Sequence, residues 1–541
     1  MKKKYVRWTL WTIASPFILF IILCILIYLP PIQNFLVDKA AVYASEATGM
    51  NISVGRISLS FPLNLVVTNV DAASPHNDTL LSVRRLQVNV QLLPLLKKQV
   101  EVDGISLQGA TVNSNDLIHG MKLNGTLGEL FISSHGVALD PETAIVNKVL
   151  LKDTDLSLCL NDTAAADTAA SDTAYWKIIL QDIDLQNVSF ALDMPLDSLS
   201  LAASLDNAIL RDGLIDLHKS AYSLQTFRIE NGRVRYDNGK PLAADSLSSG
   251  LDPSHIALTD IGVKLDSLYY GGRNMKAIIS QFVLKERSGV EIVSATGRMV
   301  SNDKVLRVPS LKLETRDSYL ELNAAMDWNA LDFKDEGLVS ARLMADIGKP
   351  DVVRFMGSMD EKFIRQYPSE PLRIRTGIDG DLNKLKLTTL TAELPGALGL
   401  FARGELTHLT DSLLRGGDIT LEAETKDLKF VSTLAEGIEI PYGTRLEGKF
   451  TMAGTKMGTD LLLMQPEAQA VVAADTIPIT VYNDSISVAD DFKMERAARL
   501  FAKYDLSRDR YEADLAVNHF DLHQFMPADS LYTCLLYTSP S

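Results

Sequence analysis

The stretch Asn51-Ile52-Ser53-Val54-Gly55-Arg56-Ile57-Ser58-Leu59 alternates apolar and polar residues, with one break at Gly55. Successive side chains of a β-strand point to opposite faces, so this alternation predicts a strand with one apolar and one polar face.

The same alternation continues to about residue 520 of the 541-residue chain. It predicts strands at Val83–Val90, Val305–Leu313, Tyr319–Leu322, Leu382–Leu387 and Tyr511–Val517. Glycine and asparagine pairs between such runs predict hairpin turns, at Asn231-Gly232, Asp237-Asn238-Gly239, Gly271-Gly272 and Gly416-Gly417. Helical patterns are few: one helix is predicted at Pro350–Tyr367, opening at Asp351 and stopped by Pro368. The segment Asn161–Ala174 has no apolar periodicity and is interpreted as a surface loop or spacer.

A loose internal repeat is the most informative feature of this body. Its phrase is two alternating apolar residues, a residue that tolerates turns, and a shift of phase. The five copies are Leu65/Val67/Asn69/Val70, Ile105/Leu107/Gly109/Ala110, Ile183/Leu185/Asn187/Val188, Phe227/Ile229/Asn231/Gly232 and Ile256/Leu258/Asp260/Ile261. Apolar residues three apart would lie on opposite faces of a regular strand. We therefore expect bulge or left-handed geometry at Asn69, Gly109, Asn187, Asn231 and Asp260, which would return them to one face. Chance resemblance among short strands is the alternative.

These patterns predict a mainly β fold, in which one long, bent sheet grows by hairpins and has no closed small core. Its concave face would be apolar and its convex face polar. The residues expected to line that apolar groove are Val54, Ile57, Val67, Val88, Leu107, Val112, Leu185, Phe190, Val234 and Leu258. Ordinary packing between two sheet faces is the competing interpretation for each of them.

The N-terminus indicates a membrane anchor. Residues 2–7 read Lys-Lys-Lys-Tyr-Val-Arg, and an uncharged run follows from Trp8 to about Pro31. Spanning a bilayer core of ~30 Å takes about 20 apolar residues in a helix, and basic residues stay on the cytoplasmic side. The anchor residues are Trp11, Phe17, Phe20, Leu23, Leu26 and Tyr28. A cleaved signal peptide and a buried core helix are the alternatives; the run is longer than a signal peptide needs and lacks an Ala-x-Ala step.

Composition and motifs favour binding over catalysis. The formal net charge is -15, and no basic stripe follows residue 7, so nucleic acid is not an expected partner. The three cysteines, Cys24, Cys159 and Cys534, form neither a disulfide framework nor a zinc motif. No metal-ligand, nucleophile-elbow or phosphate-loop motif is present, and His519 and His523 are interpreted as part of a strand entering a turn. We expect no enzyme activity, no catalytic residue, no metal and no cofactor.

The opening resembles that of the TamB and AsmA-like family of envelope proteins. The likeness lies in the basic start, the single apolar helix, its proline-flanked exit, and the segments Phe35–Gly49, Asn51–Phe61 and Leu63–Val70. The phrase Tyr511–Val517, running on to Phe520–Pro527, is also similar to family repeats, in the manner of Bacteroidetes-type members.

The resemblance implies a single-pass bacterial inner-membrane protein with a cytoplasmic N-terminus. Its periplasmic body would be an elongated, curved, taco-like β-sheet with a half-open groove and few short helices. The implied function is inner-to-outer membrane phospholipid transport. A scaffold for outer-membrane protein assembly and secretion is the alternative. The implied partners are the inner membrane, phospholipid and a TamA-like or BamA-like barrel, the last through a C-terminal part that this chain lacks. A plain anchored structural β-protein is a third hypothesis.

These inferences give five segments. Residues 1–7 are a cytoplasmic tail, 8–31 a transmembrane helix, 32–49 a juxtamembrane amphipathic helix, and 50–530 the periplasmic β-rich region. The end, 531–541, is interpreted as an artefact or a truncation, because Cys534-Leu535-Leu536-Tyr537-Thr538-Ser539-Pro540-Ser541 resembles a translated sequencing adapter.

Overall fold

The structure, a computed structural model, describes residues 39, 41–42, 45, 50–60, 64–74, 79–90, 102–114, 121–138, 142–161, 176–239, 250–334, 336–356, 360–434, 439–466, 494–518 and 525. The chain divides into two compact units. Unit 1 comprises Met1–Ala244 and Pro253–Gly272, and unit 2 comprises Asp245–Asp252 and Arg273–Ser541.

Unit 1 holds the first eleven strands of the described residues. They are β1 (Asn51–Ser60), β2 (Asn64–Ala73), β3 (Thr79–Val90), β4 (Val102–Asn113), β5 (Met121–Ala138), β6 (Thr143–Leu160), β7 (Lys177–Met194), β8 (Leu199–Asp216), β9 (Ala221–Leu224), β10 (Thr226–Asn238) and β11 (His255–Gly271). Consecutive strands from β1 to β8 pair side by side, and all these pairs are antiparallel except β6 with β7, which is parallel. Strand β8 then pairs with both β9 and β10, and each of these pairs with β11.

Unit 2 holds thirteen strands that pair consecutively and antiparallel. They are β12 (Asn274–Glu286), β13 (Glu291–Ser301), β14 (Val305–Thr315), β15 (Tyr319–Asp327), β16 (Leu338–Ile347), β17 (Leu372–Asp381), β18 (Lys384–Leu394), β19 (Leu398–Thr407), β20 (Gly416–Thr425), β21 (Arg445–Ala453), β22 (Lys456–Pro466), β23 (Met494–Asp505) and β24 (Arg510–Val517). Three short helices interrupt them: α1 (Trp328–Leu331), α2 (Lys349–Phe355) and α3 (Glu361–Gln366). Two 3-10 turns complete the regular structure, Pro195–Asp197 in unit 1 and Lys429–Thr433 in unit 2.

The mainly β fold with few short helices is therefore confirmed. The quoted stretch at Asn51 is β1, and the alternation near Val83, Val305, Tyr319 and Tyr511 lies in β3, β14, β15 and β24. Alternation predicts these strands because it gives each one a face that can pack and a face that water can solvate.

Three local predictions are wrong. Leu382 lies in the turn before β18 and is buried there, so that strand starts two residues later than expected. Gly416-Gly417 does not form a hairpin turn but opens β20 and pairs with β19 and β21. Asn231-Gly232 lies inside β10. Glycine at the last two sites serves close backbone approach or a change of conformation within a strand, which has the same sequence signature as a turn.

The predicted helix at Pro350–Tyr367 is two helices. Helix α2 follows Gly348, and α3 is capped by Asp360, whose carboxylate accepts a hydrogen bond from the Lys362 backbone N–H at 2.7 Å. An aspartate cap starts a new helix because it satisfies a backbone donor that has no partner within the helix.

Unit 2 contains two small clusters of fully buried side chains, which corrects the prediction of no closed core. The first comprises Phe363, Tyr367, Leu394, Ala397, Leu428 and Phe430, and the second Ala330, Val339 and Leu382. The helices and the Lys429–Thr433 turn pack over the strands of unit 2 and cover these side chains, which a single sheet layer would leave exposed. Leu394 ends β18, whereas Leu385 near its start packs on the second cluster, so the clusters cover opposite ends of that strand.

The predicted membrane anchor lies outside the described residues. This applies to the run from Trp8 to Pro31 with its six anchor side chains. Within the described part of the chain, no helix combines the length and apolar character needed to cross a membrane. Lys39, Ala41, Val42 and Ser45, from the predicted juxtamembrane helix, are helical.

Candidate functional site

Apolar side chains of unit 1 line up in rows that run across the strands. The Ile57 row has one residue from each of ten strands, each directly opposite the next. It consists of Ile57, Val67, Leu86, Leu107, Leu130, Leu151, Leu185, Ala208, Ile229 and Val263. A row with no polar member makes a continuous apolar strip along the hydrogen-bonding direction of the sheet.

The register places all ten predicted groove residues on four such rows. Ile57, Val67, Leu107 and Leu185 belong to the Ile57 row, and Val88 to the neighbouring row that starts at Leu59. Val54 starts a third row. The fourth row starts at Ile52 and includes Val112, Phe190, Val234 and Leu258. Residues that are 204 positions apart, such as Val54 and Leu258, therefore lie on adjacent rows of one sheet.

These side chains are half-buried rather than sealed in a core. Phe190 is 37% exposed, and the other nine predicted groove residues are of intermediate exposure. Both clusters of fully buried side chains among the described residues lie in unit 2. Unit 1 thus presents an apolar face that its own described chain covers only in part, which is typical of a ligand or partner surface.

The five residues expected to correct the strand phase all have left-handed backbone conformation. Their φ angles are 54° at Asn69, 62° at Gly109, 51° at Asn187, 53° at Asn231 and 53° at Asp260. In β1 the shift is also visible in the exposure: Gly55 and Arg56 are both exposed, whereas Val54 and Ile57 are half-buried. The predicted geometry is confirmed, and it brings apolar residues three apart onto the same face.

Unit 2 repeats the row arrangement over all thirteen of its strands. The Ile279 row consists of Ile279, Gly297, Leu311, Leu322, Leu343, Thr376, Leu390, Ala402, Leu421, Gly448, Leu461, Leu500 and Leu515. Thr376 is its single polar member. No residue of this row was among the predicted groove residues, although the alternation at Val305–Leu313 carried the signal.

The opposite face of unit 2 is charged. Cross-strand ion pairs join Arg375 to Asp346 at 2.7 Å, Lys384 to Glu405 at 3.3 Å, and Arg445 to Glu424 at 3.3 Å. Arg499 contacts Asp460 through two hydrogen bonds, which lower the pKa of that carboxyl below its usual value. Exposed pairs of this kind stabilise a sheet only slightly, but they fix which face meets water.

A cavity of 510 Å³ lies across β20–β24, and the side chains that line it include Glu422, Glu447, Lys449 and Arg499. These residues alternate with Leu421, Gly448 and Leu500 of the Ile279 row, so the cavity belongs to the charged face. The described residues contain no group of three or more His, Cys, Asp or Glu placed to hold a metal ion.

Neither the protein-family models nor the curated proteins match this chain.

Proposed function

We propose that this protein shields phospholipid acyl chains on its apolar sheet face during transport between the inner and outer membranes of a bacterial envelope. The observation that carries the proposal is the row arrangement: apolar residues face one another across ten strands in unit 1, and in unit 2 the Ile279 row crosses thirteen strands with Thr376 as its single polar member. The protein acts by binding rather than by catalysis, with no cofactor.

The dimensions of the rows suit an acyl chain. Neighbouring strands are about 4.8 Å apart, so a row of ten strands extends for roughly 43 Å along the sheet. One leaflet of a bilayer has about 15 Å of hydrocarbon, half of the ~30 Å core. A row therefore exceeds the length of one acyl chain and offers it apolar contact at every position.

The energetics favour such a ligand. Each CH₂ group kept from water is worth about 0.8 kcal/mol, and half-buried leucines and valines gain by the same contact. Backbone N–H and C=O groups pair between neighbouring strands, so a sheet can present a long apolar surface without exposing most of its polar backbone to a ligand. A sheet is thus a suitable support for a long hydrocarbon-binding surface.

The proposed family and cellular location are based on the sequence resemblance. We place the chain in the TamB and AsmA-like class, with residues 8–31 spanning the inner membrane and the β-rich body in the periplasm. The half-exposed apolar face supports this placement, since an elongated groove needs an apolar lining that remains accessible.

Site-specific photo-crosslinking tests the proposal. A photoreactive amino acid at Leu107 or Leu185 in the Ile57 row should capture phospholipid in cells, detected as lipid mass on the purified protein. The adjacent outward residues Gln108 and Gln186 are matched controls and should capture none. Capture of protein only at Leu107 and Leu185, or equal lipid capture at all four sites, would refute lipid shielding.

Assembly of outer-membrane proteins is a second candidate, and β24 is the observation that favours it. All eight of its residues are exposed, and within the described residues it pairs only with β23. An exposed strand edge can pair with a client strand or a barrel partner. Proline at Ala513 or Asp514 should then impair barrel assembly in cells without reducing lipid capture at Leu107. Normal barrel assembly in both variants would exclude this role.

A further inference from the structure

One irregular line crosses nine strands of unit 1 at the same level. On each strand the regular pairing omits one residue, and the omitted residues face one another from strand to strand. We call them the phase-shift row: Gly55, Asn69, Arg84, Gly109, Gly128, Asp153, Asn187, Asp206 and Asn231. From β1 to β8 the register is unchanged on either side of the row; Val54 faces Val70 and Arg56 faces Thr68, for example. Every strand therefore accommodates the shift where its neighbour does.

Five of the nine residues in this row have a left-handed backbone conformation. Asn69, Gly109, Asp153, Asn187 and Asn231 have φ between 50° and 62°, far from the extended region near −120° to −140°. A single residue in this conformation turns a strand out of its straight path, and asparagine, aspartate and glycine tolerate it best. Because the turns are aligned, they fall on one line across the sheet.

The row is closely packed between strands. A Cβ atom at Gly55 would lie 3.0 Å from Cβ of Asn69, and one at Gly128 would lie 2.8 Å from Cβ of Asp153. A Cβ at Gly109 would lie 3.1 Å from the Arg84 side chain. Glycine on one strand thus makes room for the side chain on the next.

Side-chain hydrogen bonds join the remaining members. The Asn187 amide donates to Asp153 Oδ1 at 3.0 Å, across the parallel pair of strands. The Asn231 amide donates to the Asp206 carboxylate. A shorter row recurs six residues away, where the Asn147 amide donates to Gln181 Oε1 at 2.9 Å and Asp212 has a φ of 51°.

We propose that the phase-shift row is a fixed crease: it bends the nine strands that it crosses at one level, and its interstrand contacts hold that bend at a single angle whether or not a ligand is bound. The rows starting at Ile52 and Val54 lie on one side of the crease, and those starting at Ile57 and Leu59 on the other. The crease would set the angle between two halves of the apolar face. This inference concerns the backbone and does not require the proposed lipid function.

A distance measurement along one strand tests the crease. Nitroxide labels at Lys148 and Ser157 of β6, in the full chain with Cys24, Cys159 and Cys534 replaced by serine, flank Asp153 on the face opposite the Ile57 row. Nine residues of straight strand span about 30 Å. Double electron–electron resonance should give a shorter, narrow distance distribution. It should be unchanged after adding vesicles of phosphatidylethanolamine and phosphatidylglycerol.

Two double variants separate the backbone from the side chains. Asp153→Val with Asn187→Val disfavours positive φ on both strands and should lengthen the distance toward about 30 Å. Asp153→Gly with Asn187→Gly keeps positive φ accessible and should retain the parent distance. Lys152→Val with Gln186→Val changes the adjacent, regularly paired residues and serves as the matched control. Circular dichroism confirms folding; if the valine pair does not fold, Asn187→Val alone is measured and should lengthen or broaden the distribution.

The crease is refuted by any of three results: a straight-strand distance in the parent, a folded valine variant with the parent distance, or a shift on adding vesicles. Lengthening in the glycine pair equal to that in the valine pair would also refute it. None of these readouts uses lipid capture at Leu107 or Leu185, so failure of the lipid proposal would leave this result standing.

Discussion

The carboxylate of Asp351 in α2 accepts a hydrogen bond of 2.6 Å from the hydroxyl of Ser318, at the start of β15. Asp351 is only 1% exposed, and it also accepts hydrogen bonds from Thr315 and from Arg354, the latter at 3.0 Å. The backbone N–H of Gly348 in turn donates to Ser318 at 3.0 Å. This network connects helix α2 to the turn between β14 and β15 through hydrogen bonds and an ion pair.

Replacing Asp351 should be costly. Asp351→Ala leaves the hydroxyl groups of Thr315 and Ser318 without their buried acceptor and leaves Arg354 with Asp317 as its remaining carboxylate, so we expect a loss of about 2–3 kcal/mol in the free energy of unfolding. Urea denaturation followed by circular dichroism measures it. Glu361→Ala is the control, because Glu361 is 89% exposed and 3.8 Å from Arg365. A control effect as large as that of Asp351→Ala would contradict the network.

Introducing a carboxylate at two adjacent residues of β16 should change the free energy of unfolding by very different amounts. Leu343 belongs to the Ile279 row, whereas Met344 is 43% exposed on the other face. Leu343→Glu should lower the free energy of unfolding by about 2–4 kcal/mol because it places a carboxylate among apolar side chains. Met344→Glu should stay within about 0.5 kcal/mol. Equal urea midpoints for the two variants would mean that the faces are assigned wrongly.

Alanine substitutions at two glycines of neighbouring strands should change the free energy of unfolding in opposite directions. Gly417 has a φ of 127°, and a Cβ there would overlap the backbone oxygen of Glu405. A Cβ atom at Gly399 would have no other atom within 4 Å. Gly417→Ala should destabilise by about 1–3 kcal/mol, and Gly399→Ala should stabilise by about 0.5 kcal/mol, since alanine restricts the unfolded chain. Thermal denaturation of both variants checks this, and a stabilised Gly417→Ala would refute it.

Alkaline pH should weaken the first buried cluster of unit 2. Burial raises the pKa of Tyr367 above its ordinary value of 10.0. The unfolded chain therefore releases this proton at lower pH than the folded chain does. The contribution to stability is complete below pH 10.0 and declines as pH rises through the folded pKa.

Tyr367→Phe removes this titration. Between pH 8 and pH 10.5 the urea midpoint of the parent should fall more than that of the variant, because other alkaline titrations are common to both. The ring contacts with Phe363 and Phe430, at centroid distances of 5.6 and 5.1 Å, can persist in the variant. Parallel midpoint curves over this range would show that Tyr367 keeps its usual pKa.

Local alternation and the left-handed residues Asn69, Gly109, Asn187 and Asn231 could be predicted from sequence because both depend on a few neighbouring positions, whereas Arg84, Gly128, Asp153 and Asp206 of the phase-shift row were not predicted. The spacing of Val54 and Ile57 around the break at Gly55 predicts that they share one face. The residue type of Asn187 predicts its left-handed backbone conformation. The direction of strand pairing has no such local signal. The parallel pair of β6 and β7 depends on how the chain returns between Leu160 and Lys177, which strand composition does not encode.

Glycine was the main source of error, for a physical reason. Gly417 and Gly272 both have positive φ, and both follow another glycine. Gly272 stands in a turn, whereas Gly417 stands beside the backbone of β19. Sequence shows that a side chain is absent but not whether a turn or a neighbouring strand requires its absence. The unit 2 rows were missed in part because Gly297 and Gly448 interrupt the apolar pattern there, although Leu311 and Leu461 reach over them.

Because the strands of unit 2 pair consecutively and antiparallel, the length of its apolar surface is set by the number of strands. Each hairpin adds two strands, so the surface lengthens in steps of roughly 9.6 Å and keeps the same width. Duplication of one hairpin, about twenty residues in β21–β22, would preserve the strand pairings on either side of the insertion, since neither strand carries a member of the two buried clusters. Evolution could therefore lengthen or shorten such a surface by copying or deleting one hairpin, with no redesign of the remaining strands.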